Sequence, residues 1–392
     1  MKKRICYILL TLLLICVLPL TVLAAEYDLD KGNVVVSIDE EGSQCVNQNG
    51  NRQYDTNPTI TGGNGSQSIT VSTTGDDQAN LTISNINAKT IEVGASNATI
   101  TVSGENNQVT NDEGAGIHVS SGNLTITGDG ILEATTSKES SAAIGSNSYE
   151  EMSGSITIGG YAKVTGTCNS GDLDYGAGIG TGEAGKLSGS ITIEGNATVE
   201  GTGSFGAGIG SGFVGSYFMS ENGKITESGS ITIKDNAKVI GTSNGGGAGI
   251  GSGFGNSMAG TITIDGTANV TATATGMNSG AGIGSGAGKQ RYMSGTISIS
   301  DKAKVNASST GRYESGDAIG AGALGTITGT IRKPPSNEEA LKEALAALYS
   351  QTAAQLRWEA ISPSPKPLRS TVQSRLTSMV TPLHMKANPT AV

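Results

Sequence analysis

Residues 176–199 read Gly176-Ala-Gly-Ile-Gly-Thr-Gly182, then Glu183-Ala-Gly-Lys-Leu-Ser188, then Gly189-Ser-Ile-Thr-Ile193 and Glu194-Gly-Asn-Ala-Thr-Val199. Two units in this stretch recur along the chain. The Gly-(Ser/Thr)-Ile-(Thr/Ser)-Ile unit returns at 154–158, 189–193, 229–233, 260–264 and 295–299, with a weaker copy at 122–126. The Ala-Gly-Ile-Gly unit, or a close variant, returns at 143–145, 177–180, 207–210, 248–251, 281–284 and 318–320. An apolar residue stands six places after the second Ile each time: Leu132, Val164, Val199, Val239, Val270 and Val305.

Alternation of apolar and polar residues over so short a unit makes a strand with one buried face. The constant interval of six fixes one corner, and the other intervals vary in length. Fixed strands joined by variable loops describe a solenoid in which each coil contributes three short strands. One coil cannot bury its Ile alone, whereas stacked coils give a continuous apolar column. The reading is an all-β, right-handed parallel β-helix. The Gly residues of Ala-Gly-Ile-Gly suit corners that need positive φ or close backbone approach. Between 60 and 126 shorter strands (Ile69/Val71, Leu81/Ile83, Ile91/Val93, Ile100/Val102, Ile117/Val119) fit the same coil with minimal loops.

Composition supports this. The chain has 392 residues, of which 59 are Gly; 36% are hydrophobic and only 4% aromatic, with 1 Trp and 4 Phe. That is too few bulky side chains for ordinary globular cores. Only 15% of residues are charged, and the recurring β-branched residues argue against disorder. Net charge is -9, and basic residues gather at the two ends, which leaves the middle strongly acidic. Such a surface is a poor partner for nucleic acid.

The chain divides into five regions. Residues 1–25 read as a secretory signal: Lys2-Lys3-Arg4, an apolar run from Ile5 to Leu23, then Ala24-Ala25. Cleavage leaves no membrane span; the alternative is an uncleaved anchor. Residues 26–59 read as an N-terminal cap, with Val34–Ile38 as its strand. Residues 60–331 form the β-helix, with short coils over 60–134 and Gly-rich coils over 135–331. Residues 332–360 carry a short helix beginning near Ser336 and Glu339. Residues 361–392 are a Pro-containing linker or disordered tail, either a linker that leads to nothing or the end of a truncated or frame-shifted member of a longer protein. Cys45 and Cys168 fall several coils apart, too far for a disulfide.

The segments Gly176–Gly182, Gly206–Gly212, Gly247–Gly253 and Gly280–Gly286, alternating with Gly-(Ser/Thr)-Ile-Thr-Ile, resemble repeats of secreted and surface β-helical proteins of Gram-positive gut bacteria. Ile69 to Ala134, with Gly116-Ile-His-Val119 and Leu124-Thr-Ile-Thr-Gly-Asp-Gly130, resembles the β-helical carbohydrate-binding domain of clostridial polysaccharide-binding proteins, related in fold to pectate lyases. The resemblance covers about residues 30–331. It implies secretion or surface display and binding of a polysaccharide, a host glycan or a plant glycan. It transfers no ligand-binding residue.

The residues themselves favour binding over catalysis. A lyase would need clustered Asp for calcium and a nearby Arg or Lys to take a proton. Asp172 and Asp174 are the one close Asp pair in the repeat loops, with Asp76/Asp77 the other in the helix body, and basic residues are scattered. Calcium there is the only metal the sequence suggests; no other cofactor is expected and no catalytic residue is assigned. His118 should point outward from its strand. Aromatic residues fall in or beside the loops: Tyr175 and Phe205 before Ala-Gly-Ile-Gly, Phe213 and Phe254 after it, with Tyr217, Tyr292 and Tyr313 further on. They form either a ladder covering loop backbone or a platform for sugar rings, whose apolar faces suit aromatics. Outward Ser and Thr (Ser155/Thr157, Ser190/Thr192, Ser230/Thr232, Thr261/Thr263, Thr296/Ser298) resemble an ice-binding array, but charges stand in the next column. The expected function is an extracellular, non-catalytic carbohydrate-binding or adhesin-like protein. The alternatives are a purely structural stalk, a calcium-dependent polysaccharide lyase and an ice-binding protein.

Overall fold

The computed structural model describes residues 25–137, 140–168, 175–214, 226–289 and 291–332. The signal segment, Asp172, Asp174, Tyr217, the helix expected after Arg332 and the tail lie outside the described residues. What is described is a parallel β-helix. The Ile-Thr-Ile strands form one ladder, here sheet I: Ser155–Ile158, Ser190–Ile193, Ser230–Ile233, Thr261–Ile264 and Thr296–Ile299 pair in parallel, residue for residue. The next strand of each coil forms sheet II, where Leu132, Val164, Val199, Val239, Val270 and Val305 stack in register. The Ala-Gly-Ile-Gly units form sheet III, with Ile144, Ile179, Ile209, Ile250, Ile283 and Ile319 aligned. Sheets I and II are continuous, because the strand Gln78–Ala88 turns the corner between them.

The register follows from burial. In the strands at 155–158, 190–193 and 230–233 the Ile residues are buried and the Ser and Thr half-exposed. A one-residue slip would send every Ile to solvent. Each buried Ile contributes about 1.5–3 kcal/mol through removal from water. Ile156, Ile191 and Ile262 are fully buried in one column.

At the N-terminal end Val34–Ile38 pairs in parallel with Ser68–Ser72 of sheet III. Gln44–Gln48 and Asn51–Tyr54 then add to it antiparallel. This hairpin ends the parallel stacking of that sheet and covers its edge.

A fourth ladder lies between sheets III and I. Thr226–Glu227, Ser257–Met258, Tyr292–Met293 and Thr326–Ile327 pair in parallel, and Met152 bridges to Leu187 on the same line. The sequence signal was present: an inward residue stands two places before the Gly of every unit from 154 to 295, as Met152, Leu187, Glu227, Met258 and Met293, while Ile327 at the last coil is exposed. A two-residue strand is too short to show alternation.

Cys45 and Cys168 are both buried and are not joined in a disulfide. Among the described residues no helix is long and apolar enough to cross a membrane.

Candidate functional site

Sheet III turns sharply because of its last Gly. Gly210 has φ +138°, and a Cβ there would lie 1.7 Å from the carbonyl oxygen of Gly251 in the next coil. The turn aims the following residue inward. Ser146, Thr181, Ser211, Ser252 and Ser285 are wholly buried at this place. Each hydroxyl accepts the N–H of a Gly one coil on: Gly182, Gly212, Gly253, Gly286 and Gly322. Ser146, Thr181 and Ser252 donate in turn to the carbonyls of Glu150, Gly185 and Asn256. Buried hydroxyls are thereby satisfied, as they must be.

The loops flanking sheet III are joined by diagonal rungs. The residue after one Ala-Gly-Ile-Gly unit donates its N–H to the residue before the unit of an adjacent coil. Glu183 donates to Ser140, Phe213 to Tyr175, Phe254 to Phe205, Ala287 to Gly246 and Ala323 to Ser279. Aromatic residues occupy both ends of two adjacent rungs and neither end of the other three.

Tyr175, Phe205, Phe213 and Phe254 therefore meet in one patch. Tyr175 stacks on Phe213, with ring centroids 4.8 Å apart and planes 22° apart. Phe205 meets Phe254 edge-on at 6.1 Å. The pairs expected from equivalent sequence places, Tyr175 with Phe205 and Phe213 with Phe254, are 5.9 and 5.8 Å apart and tilted. The closest stack runs across the diagonal because the backbone rungs do. Phe254 also packs on Gly246, where a Cβ would lie 2.6 Å from its ring. All four side chains are half-buried. Tyr292 and Tyr313 stand elsewhere: Tyr292 in the fourth ladder, half-buried, and Tyr313 in Lys304–Glu314, 70% exposed beside the Arg312 guanidinium.

His118 occupies a position that sequence reasoning underrated. It lies on the outer side of sheet III, but its side chain is only 12% exposed. Nδ1 is 2.5 Å from Glu92 Oε1 and Nε2 is 2.6 Å from Glu150 Oε2. Burial opposes the charged ring, but the carboxylates of Glu150 and Glu92 outweigh it and raise His118 to about 9. Glu150 is lowered: burial pushes it up, yet His118, the Asn147 N–H and the Ser120 hydroxyl prevail. The signal was register, since Ile91-Glu92 and Ile117-His118 are paired neighbours in sheet III. A cleft of about 210 Å³ opens beside this trio, lined also by Asn111, Glu113, Asn147 and Ser148. Both ring nitrogens are engaged, so His118 offers no lone pair to a substrate in this arrangement. It clamps three successive coils.

The Ser and Thr columns of sheet I face outward. Beside them Lys234 and Glu194 form an ion pair at 2.8 Å. Among the described residues no three His, Cys, Asp or Glu side chains come together as a metal site. No family model, no characterised protein and no solved structure matches this chain.

Proposed function

We propose that this protein is an extracellular, non-catalytic carbohydrate-binding or adhesin-like β-helix, exported by residues 1–25 and acting as a secreted or cell-surface protein. Its partner is a polysaccharide or a host or plant glycan, and the contact is the patch of Tyr175, Phe205, Phe213 and Phe254. The observation that carries this reading is the confinement of aromatics to two of five equivalent rungs. A device needed only to cover loop backbone would recur wherever the rung recurs, yet Gly246–Ala287 and Ser279–Ala323 do without it. The outer faces of the stack suit the apolar face of a pyranose.

The competing reading is a structural stalk. It is favoured by the Gly turns and the buried hydroxyl ladder, which run through the Gly-rich coils independently of any patch. A glycan array probed with the purified protein separates the two. Selective retention on one glycan class supports binding. Retention of nothing, with and without calcium, leaves the stalk.

A further inference from the structure

The fourth ladder holds one residue that its position does not call for. Its inward column reads Met152, Leu187, Glu227, Met258 and Met293, and Glu227 is 2% exposed. A carboxylate there is stripped of water and, among the described residues, has no ion-pair partner, which is costly. Its Oε2 accepts the N–H of Leu187 at 2.6 Å, and the Ser211 hydroxyl lies close enough to the carboxyl group to favour its charged form. Oε1 has no partner. One coil on, Asn256 is wholly buried. Its Nδ2 donates to the Gly212 carbonyl at 2.9 Å and to Ser211 Oγ at 3.3 Å, while its Oδ1 also has no partner.

Two buried oxygens thus stand unpaired around a single hydroxyl. A proton on Glu227 answers both, because a carboxylic acid is a donor and an amide oxygen an acceptor. We propose that Glu227 is held as the neutral acid, with Asn256 Oδ1 taking its proton, and that the pair is a pH-operated latch under the aromatic patch.

The link to the patch is short. Ser211 Oγ accepts the N–H of Gly253, the residue before Phe254. Asn256 holds the carbonyl of Gly212, the residue before Phe213. Ionisation of Glu227 removes the donor and sets a carboxylate against an amide oxygen, which loosens both glycines. The charged neighbours do little to prevent this. Lys186 favours the carboxylate and Glu151 opposes it, and the two are themselves 3.5 Å apart. Arg291, at the same corner two coils on from Glu227, is pushed down by its own burial. Burial raises Glu227 to about 8, against the pull of the Leu187 N–H, the Ser211 hydroxyl and Lys186. An acid whose folded value lies above its unfolded one stabilises fully below the unfolded value, near 4.5. That stabilisation is lost progressively up to about 8 and is constant beyond.

The test uses the full chain as wild type and as Glu227→Gln, which keeps a donor and cannot ionise. Melting temperatures are followed from about pH 5 to 9.5, together with hydrogen exchange at the Gly212 and Gly253 amides. The difference between the two proteins is expected to widen up to pH 8 and then level off. Exchange at the two glycines, corrected for intrinsic rate, should rise roughly 10-fold in wild type relative to the variant between pH 7 and 9. A difference independent of pH overturns the proposal. If the variant does not fold, exchange in wild type decides alone: an inflection near pH 8 at Gly212 and Gly253, absent at Ile100, supports the latch, and its lack overturns it.

Discussion

At the scale of single residues, three positions show how unequal apparently similar side chains are. Gly210 and Gly42 both have positive φ, +138° and +78°, but a Cβ on Gly42 meets nothing within 4 Å. Gly210→Ala combines backbone strain with a clash against the next coil, and is expected to cost more than about 4 kcal/mol, an effect of exceptional size. Gly42→Ala should cost about 1 kcal/mol, from its backbone conformation alone. Urea unfolding of the two variants measures the gap; equal costs would mean that the coils are not packed as described. His118 makes a different kind of contribution. Its value in the folded chain is raised, so the stabilisation is complete below about 6.5 and lost as pH rises through about 9. Glu150 is lowered, so its share is present above about 4.5 and lost as pH falls through its folded value. His118→Ala should lower stability at pH 7 by about 1–2 kcal/mol, a figure kept small because Glu92 is partly in water. The same substitution at pH 10.5 should cost markedly less, and a cost that does not fall with pH would contradict a charged clamp.

At the scale of the element, the unit of stability is the ladder rather than the strand. A two-residue strand such as Ile209–Gly210 has no independent stability and exists because its copies lie above and below. Ile231, 1% exposed between Ile191 and Ile262, tests this: Ile231→Ala should cost about 2–5 kcal/mol. Glu227→Met should lower the unfolding midpoint at neutral pH, because it strips the buried Leu187 N–H of its acceptor and leaves Asn256 Oδ1 without the proton proposed for it. An unchanged or higher midpoint would mean that filling the apolar column of the fourth ladder outweighs those bonds. The sequence made three ladders legible because each repeats a recognisable apolar spacing. Sheet I was plainest, since Gly-Ser-Ile-Thr-Ile carries both alternation and a constant offset to Val199 or Val239. The fourth ladder was hidden by its brevity, although Met152 and its equivalents keep a fixed offset. The strand Asn107–Asn111 was missed for another reason: it inserts only Val109 as a bulky core residue and buries Asn107 and Asn111 at its ends.

At the scale of the whole molecule, function was less legible than fold. Repetition tells which residues are inward, and a binding site is where repetition fails. The sequence places Tyr175, Phe205, Phe213 and Phe254 beside the Ala-Gly-Ile-Gly units, but their common patch depends on the diagonal rungs, which no linear spacing reveals. Tyr292 and Tyr313 shared the residue type without sharing the place. The Glu92–His118–Glu150 clamp was missed because its members lie on three coils. Asp172 and Asp174 lie outside the described residues and form no part of the structural argument. The central claim, that the patch receives a sugar, is tested most directly by titrating a glycan retained on the array into wild type, Phe213→Ala and Tyr313→Ala, with circular dichroism to verify folding. Binding that is lost in Phe213→Ala by at least about 10-fold, the equivalent of 1.4 kcal/mol, and kept in Tyr313→Ala is the predicted result. Equal affinity of all three proteins would contradict it.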